Sequence, residues 1–142
     1  MKLELSYHSG FSEELFGWRA TLFAGRRGSF GCSWFDGAQS HERILKRYDF
    51  GLDALSFLRI AAALDALPSP LQTLKADDAP VRRIRAASEG SVVERSFIPR
   101  FAGRTPSKAE EEFNRIWFEL VELVKPAFAQ LQIDGDALAK NC

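Results

Sequence analysis

Arginine is the residue type that this chain gathers where binding chemistry could follow. Arg82, Arg83, Arg85, Arg95, Arg100 and Arg104 lie within residues 76–104, against Asp77, Asp78, Glu89 and Glu94. A guanidinium is a planar fork that matches carboxylate or phosphate with two parallel hydrogen bonds. The run therefore predicts an anion or acidic-partner site, or else a wet sheet face on which Arg85 pairs with Glu94. The elements that would hold these residues decide between the two. Val81 to Ala87 and Val92 to Ile98 alternate apolar and polar residues around Ser88-Glu89-Gly90-Ser91, which predicts a β-hairpin. A two-residue loop sets Arg85 opposite Glu94, Arg83 opposite Ser96 and Val81 opposite Ile98. Arg82 and Arg95 then share the other face with Ile84, Ala86, Val93 and Phe97. An arginine on an apolar face must snorkel, pair with a carboxylate or bind a ligand. Arg82 and Arg95, followed by Arg83, are the candidate ligand residues.

Other constellations carry less. His8 and His41 are the only histidines and stand apart, so a histidine-dominated zinc site within one subunit is excluded. Cys32 and Cys142 lie in no metal-ligand or CxxC spacing, and nothing flanking them and the histidines supports a nucleophile pair. Gly25-Arg26-Arg27-Gly28-Ser29-Phe30-Gly31 is glycine-rich and basic, but it lacks the Lys-Ser/Thr pair opening a helix that a phosphate loop needs. It reads as an exposed hairpin turn. Asp134-Gly135-Asp136 lacks the further acidic positions of a calcium loop, and Glu110-Glu111-Glu112 reads as a helix start. No catalytic residue, metal ligand or cofactor is expected from these patterns.

The remaining elements follow from periodicity. Lys2 to His8 alternates as a half-buried strand. Gly17 to Ala24 and Ser29 to Asp36 flank the glycine-arginine turn, which sets Phe23 opposite Phe30, Trp18 opposite Phe35 and Ala20 opposite Ser33. Both faces of that hairpin would then carry large apolar groups, so neither could simply be wet. Trp18 and Phe35 become candidate interface residues. His41 to Asp49 predicts a further strand with Ile44 and Tyr48 on one face. Asp53 is a good N-cap for a helix to about Leu67, broken only by Ser56, Arg59 and Asp65 and so packed on more than one side. Thr105 with Pro106, or Ser107 with Glu110 in a capping box, opens the last helix. Its stripe runs from Phe113 through Trp117, Leu120 and Val124 to Phe128 and Leu131. Pro126 predicts a kink near Glu122 or a separate final helix.

With 46% apolar and 27% charged residues, and 19 basic groups against 19 acidic ones, the chain can fold as one globular domain. Zero net charge gives no long-range attraction to phosphates, which argues against nucleic-acid or membrane-surface binding. The longest uncharged apolar stretch, Ile60 to Leu64, falls far short of the roughly 20 residues that span a bilayer. The first ten residues lack a signal peptide's apolar region. These points lead to the expectation of a cytoplasmic protein.

Gly31-Cys32-Ser33-Trp34-Phe35 in a strand, a further strand, and Phe50-Gly51-Leu52-Asp53-Ala54-Leu55-Ser56-Phe57-Leu58 opening an apolar helix resemble one loose group of proteins. These are small uncharacterised bacterial α+β proteins with a β-meander and a G-x-D-opened helix. The resemblance covers residues 17–67, and Ser56-Phe57-Leu58 departs from the Gln-Ala-Leu of that helix. It implies topology and transfers no activity.

The expected architecture is a single α+β domain over residues 1–133 with a frayed tail at 134–142. An antiparallel sheet of about six strands carries two main helices in the order ββββαββα, the C-terminal one packed on the sheet. The expected function is a non-enzymatic interaction protein, homodimeric, with a protein partner in the manner of an immunity protein or antitoxin. The alternative is a small-molecule or anion binder, or an enzyme, using the arginines in a pocket under the C-terminal helix.

Overall fold

The computed structural model describes residues 1–8, 16–23, 25–36, 39–72, 80–99 and 105–131. The predicted order holds: β1 (Lys2–His8), β2 (Phe16–Phe23), β3 (Gly25–Asp36), β4 (Gln39–Leu52), α1 (Ala54–Asp65), β5 (Val81–Ser88), β6 (Ser91–Phe97) and α2 (Lys108–Gln130). The strands form one antiparallel sheet in the order β4-β3-β2-β1-β5-β6. Both helices contact one side of it, and among the described residues no element covers the other, the open face. The frayed tail and the arginines at 100 and 104 lie outside the described residues.

The β5–β6 hairpin has the expected register, with Arg85 opposite Glu94 and Arg83 opposite Ser96. Gly90, at φ 73°, takes the left-handed position of its turn, where a side chain would be strained. The first hairpin differs. β2 ends at Phe23 and β3 begins at Gly25, so the glycine-arginine segment is strand and not turn. Trp18 pairs with Cys32, Ala20 with Phe30 and Leu22 with Gly28. Relative to the expected pairing this is a slip of three residues, an odd number, so every side chain of β3 changes face relative to β2. Trp18, Ala20, Leu22, Phe30 and Cys32 all turn to the helix side and are buried. The expected pairing is corrected by this register, which puts these large apolar groups on one side and leaves Phe23 and Ile44 as the exposed apolar groups of β2 and β4 on the other.

A second correction lies in β4. The pairing slips by one residue between Gly28–Tyr48 and Phe30–Leu45, so Lys46 and Arg47 together oppose Ser29 as a β-bulge. The extra residue changes the alternation. Tyr48 enters the core at 3% exposed, while Ile44 stands on the open side at 59%. The predicted shared face of those two residues does not survive the bulge.

α1 begins at Asp53, whose carboxylate accepts the Ser56 backbone N–H at 2.7 Å. Only Phe57, Ile60 and Leu64 of α1 are buried, and Leu55 and Leu58 face outward, so the helix packs on one side and not several. α2 starts with the Ser107–Glu110 capping box and runs unbroken through Pro126. Its 23 residues extend about 34 Å at 1.5 Å per residue, enough to cross six strands spaced about 4.8 Å apart on a diagonal. Contacts trace the diagonal. Phe113 stacks near Phe97 of β6, Trp117 meets Trp18 of β2 at 5.4 Å between ring centroids, and Phe128 meets Phe30 of β3 at 4.6 Å. At the far end Arg43 of β4 donates to the Leu131 carbonyl oxygen, holding the last turn. No helix among the described residues is long and apolar enough to cross a membrane.

Candidate functional site

The three candidate arginines go to three different places. Arg82 is 7% exposed beneath α2. Its guanidinium donates to Asn114 Oδ1 at 2.9 Å and lies against the rings of Phe118, Phe97 and Trp117 at 5.0, 5.9 and 5.9 Å. That is a cation–π cage built from the protein's own side chains. Arg95 also faces the helix layer. Its Nε and Nη2 donate to the Leu67 carbonyl oxygen at 3.2 and 3.0 Å, and Nη1 donates to the Glu94 carbonyl oxygen. Leu67 lies just past α1, where free carbonyls and the negative end of the helix dipole favour a cation. Both arginines thus bond the fold itself. Arg95 borders a recess of about 350 Å³ at the β6 edge, beside Gln72. There the Gln72 amide closes the sheet edge, accepting from the Ile98 N–H and donating to the Ile98 carbonyl oxygen and to Glu110 Oε2.

Arg83 is the exception. It projects from the open face, donates to Ser96 Oγ at 3.2 Å and pairs with Glu94 at 3.1 Å. The expected Arg85–Glu94 pair is replaced, because Arg85 turns to β1 and bonds Glu4 Oε2 at 2.7 Å. That hydrogen bond holds the Glu4 carboxyl below the usual carboxylate range.

The candidate interface residues also separate. Trp18 is 3% exposed, wedged among Phe30, Trp117 and Phe128. It is therefore a core residue and is corrected as such. The Phe35 side chain lies outside the described residues.

What sequence reading missed is the open face itself. A shallow concavity of about 750 Å³ lies across β1, β2, β3 and β5, with Arg83 at one side. Residue size makes it. Register brings Ser6, Gly17, Gly31 and Ser33 to neighbouring positions on adjacent strands, while His8, Arg19 and Glu42 stand around them. At Gly17 an added Cβ would meet the Tyr7 carbonyl oxygen at 3.3 Å, a crowding that favours glycine. At Gly31 an added Cβ would meet nothing within 4 Å, so packing does not call for glycine there. A glycine inside a strand weakens it, and one on an exposed face often marks a close approach by something else. By register, the cations on this face among the described residues are Lys2, Arg19, Arg27, Lys46, Arg47, Arg83 and Arg85. The carboxylates are Glu4, Glu42, Asp49 and Glu94.

Cys32 points into the core, and burial pushes its thiol up to about 11, so it stays protonated at neutral pH. Burial likewise raises the Tyr48 hydroxyl above its ordinary value. No group of three or more His, Cys, Asp or Glu with metal-binding geometry occurs among the described residues. Searches against protein families, curated proteins and solved structures give no match for this chain. The described residues form an α+β fold of a six-stranded antiparallel sheet with two helices on one of its faces.

Proposed function

We propose that this protein is a non-catalytic interaction protein that receives a different polypeptide on the open face of its sheet. The observation that carries the reading is the concavity floored by Gly17, Gly31, Ser6 and Ser33, wide, shallow and rimmed by charged side chains. Small-molecule sites are enclosed and bury most of their ligand. A broad, open depression with charged side chains at its rim suits a protein surface, in which charge sets orientation and encounter rate. Partner neutralisation, as by an immunity protein or antitoxin, is one activity such a face can serve. Homodimerisation is the other occupancy open to such a face, which exposes Phe23, Ile44 and Val92.

Site-specific photo-crosslinking tests the reading. A benzoylphenylalanine at position 44 places the reactive group on the open face, and one at position 55 places it on the outer side of α1. The expected result, in cells producing the protein, is one discrete heterologous adduct from position 44 and none from position 55. Adducts of equal pattern from both positions, or a cross-link only to a second copy of the chain, would overturn it.

A further inference from the structure

The open face contains one cation whose surroundings single it out. Arg19 of β2 stands directly between Ser6 of β1 and Gly31 of β3, two residues too short to reach its guanidinium. It is exposed and makes no ion pair among the described residues. The closest carboxylate on an adjacent strand is that of Glu4, at a diagonal position about 7–8 Å away along the sheet. Its oxygens are already held by Arg85 at 2.7 Å and by Lys2 at 3.6 Å. Glu42 lies two strands off, opposite Ser33. Arg83, the other guanidinium at the concavity, is neutralised by Glu94. The space over Gly31 is open where a side chain would otherwise stand beside Arg19.

We infer that Arg19 is the anchor for a carboxylate side chain of the partner, which docks an acidic segment over Gly31 with the seryl hydroxyls of Ser6 and Ser33 beside it. The inference rests on the proposed interaction function and names the chemistry of its partner. Charge complementarity supports it, because cations outnumber carboxylates on this face while the whole chain is neutral. A carboxylate fits better than a nucleic-acid backbone. One free guanidinium accommodates one bidentate carboxylate, whereas nucleic-acid affinity is built from many phosphate contacts at once. The approach over a glycine needs no movement of the sheet, so the site is formed before the partner arrives.

The probe is a hexaglutamate peptide titrated into the 15N-labelled full chain at low salt, followed by amide chemical shifts. The expected result is a saturable shift confined to Gly17, Arg19, Gly31, Ser33 and their neighbours, weakened by salt. Arg19→Glu should lower the affinity at least tenfold with an unchanged melting temperature, and Arg19→Lys should keep part of it. Hexalysine should shift none of these amides. The inference is overturned if hexaglutamate produces no localised shift, if Arg19→Glu binds it as well as the wild type, or if oligothymidylate shifts the same amides as strongly. An adduct at position 44 together with any of those results would leave the interaction reading standing and remove only the acidic partner.

Discussion

At the scale of single residues, chemistry that looks like ligand binding in the sequence divides into two structural arginines and one on the surface. Arg82 is enclosed by Phe97, Trp117 and Phe118 and bonded to Asn114. Replacing it with Met should cost about 2–3 kcal/mol, from a charged hydrogen bond and desolvated cation–π contacts. Arg83→Met, which breaks an exposed pair, should stay within about 0.5 kcal/mol. Urea denaturation of the two variants beside the wild type checks the contrast, and equal losses would contradict it. Glu4 supplies a pH test. Its carboxyl is held below its ordinary value by Arg85, so the folded state binds its proton less readily than the unfolded one. The stability from this pair is therefore present above the ordinary glutamate pKa of about 4.3 and is lost as pH falls through the lower folded value. The stability gap between wild type and Glu4→Gln should accordingly be largest near neutrality and close in acid. A gap that widened in acid would show the sign to be wrong. Sequence alternation correctly turned Arg82 and Arg95 toward the helix layer. It could not show that Asn114 and the Leu67 carbonyl oxygen wait there, because those contacts join elements far apart in the chain.

At the scale of elements, what was legible is what local rules determine. The N-cap Asp53, the Ser107–Glu110 box and the β5–β6 register are written in short-range patterns, and each is present. The β2–β3 register and the β4 bulge were not legible, because β3 is apolar or small at nearly every position and two pairings satisfy its pattern almost equally. The choice is made by the α2 diagonal, which needs Trp18 and Phe30 on one side to meet Trp117 and Phe128. Pro126 was expected to bend or divide α2, yet the helix continues through it, with Ala127 and Phe128 buried on the sheet beyond. Gly31 is the element-scale consequence of the corrected register. Because nothing lies within 4 Å of its absent Cβ, Gly31→Thr should raise stability by about 0.5–1 kcal/mol, as expected for filling a strand position that glycine weakens. A thermal melt reads this directly, and a loss of stability would mean that the fold itself requires the glycine.

At the scale of the whole molecule, the fold divides its labour between two sheet faces. One buries the aromatic core under α1 and α2, with Arg43 and Arg95 fastening the ends of the two helices to strands at opposite edges. The other, among the described residues, holds a glycine-floored depression with charged side chains at its rim. The bulged and charged β4 edge, with Lys46 and Arg47 at the bulge, discourages edge-to-edge pairing. The sequence pointed to a binding protein through arginines and aromatics of which Arg82, Arg95 and Trp18 hold the fold together, while the face that supports the same reading rests on small residues whose meaning depends on register. The most direct test is native mass spectrometry of the tagged chain released gently from cells that produce it, with wild type beside Gly31→Trp. A Cβ at position 31 meets no atom within 4 Å, and the indole carried on it is the obstacle placed in the depression. The account predicts a second polypeptide at fixed stoichiometry on the wild type and its absence from a folded Gly31→Trp. The same polypeptide on both proteins, or a bare wild-type chain, would contradict it.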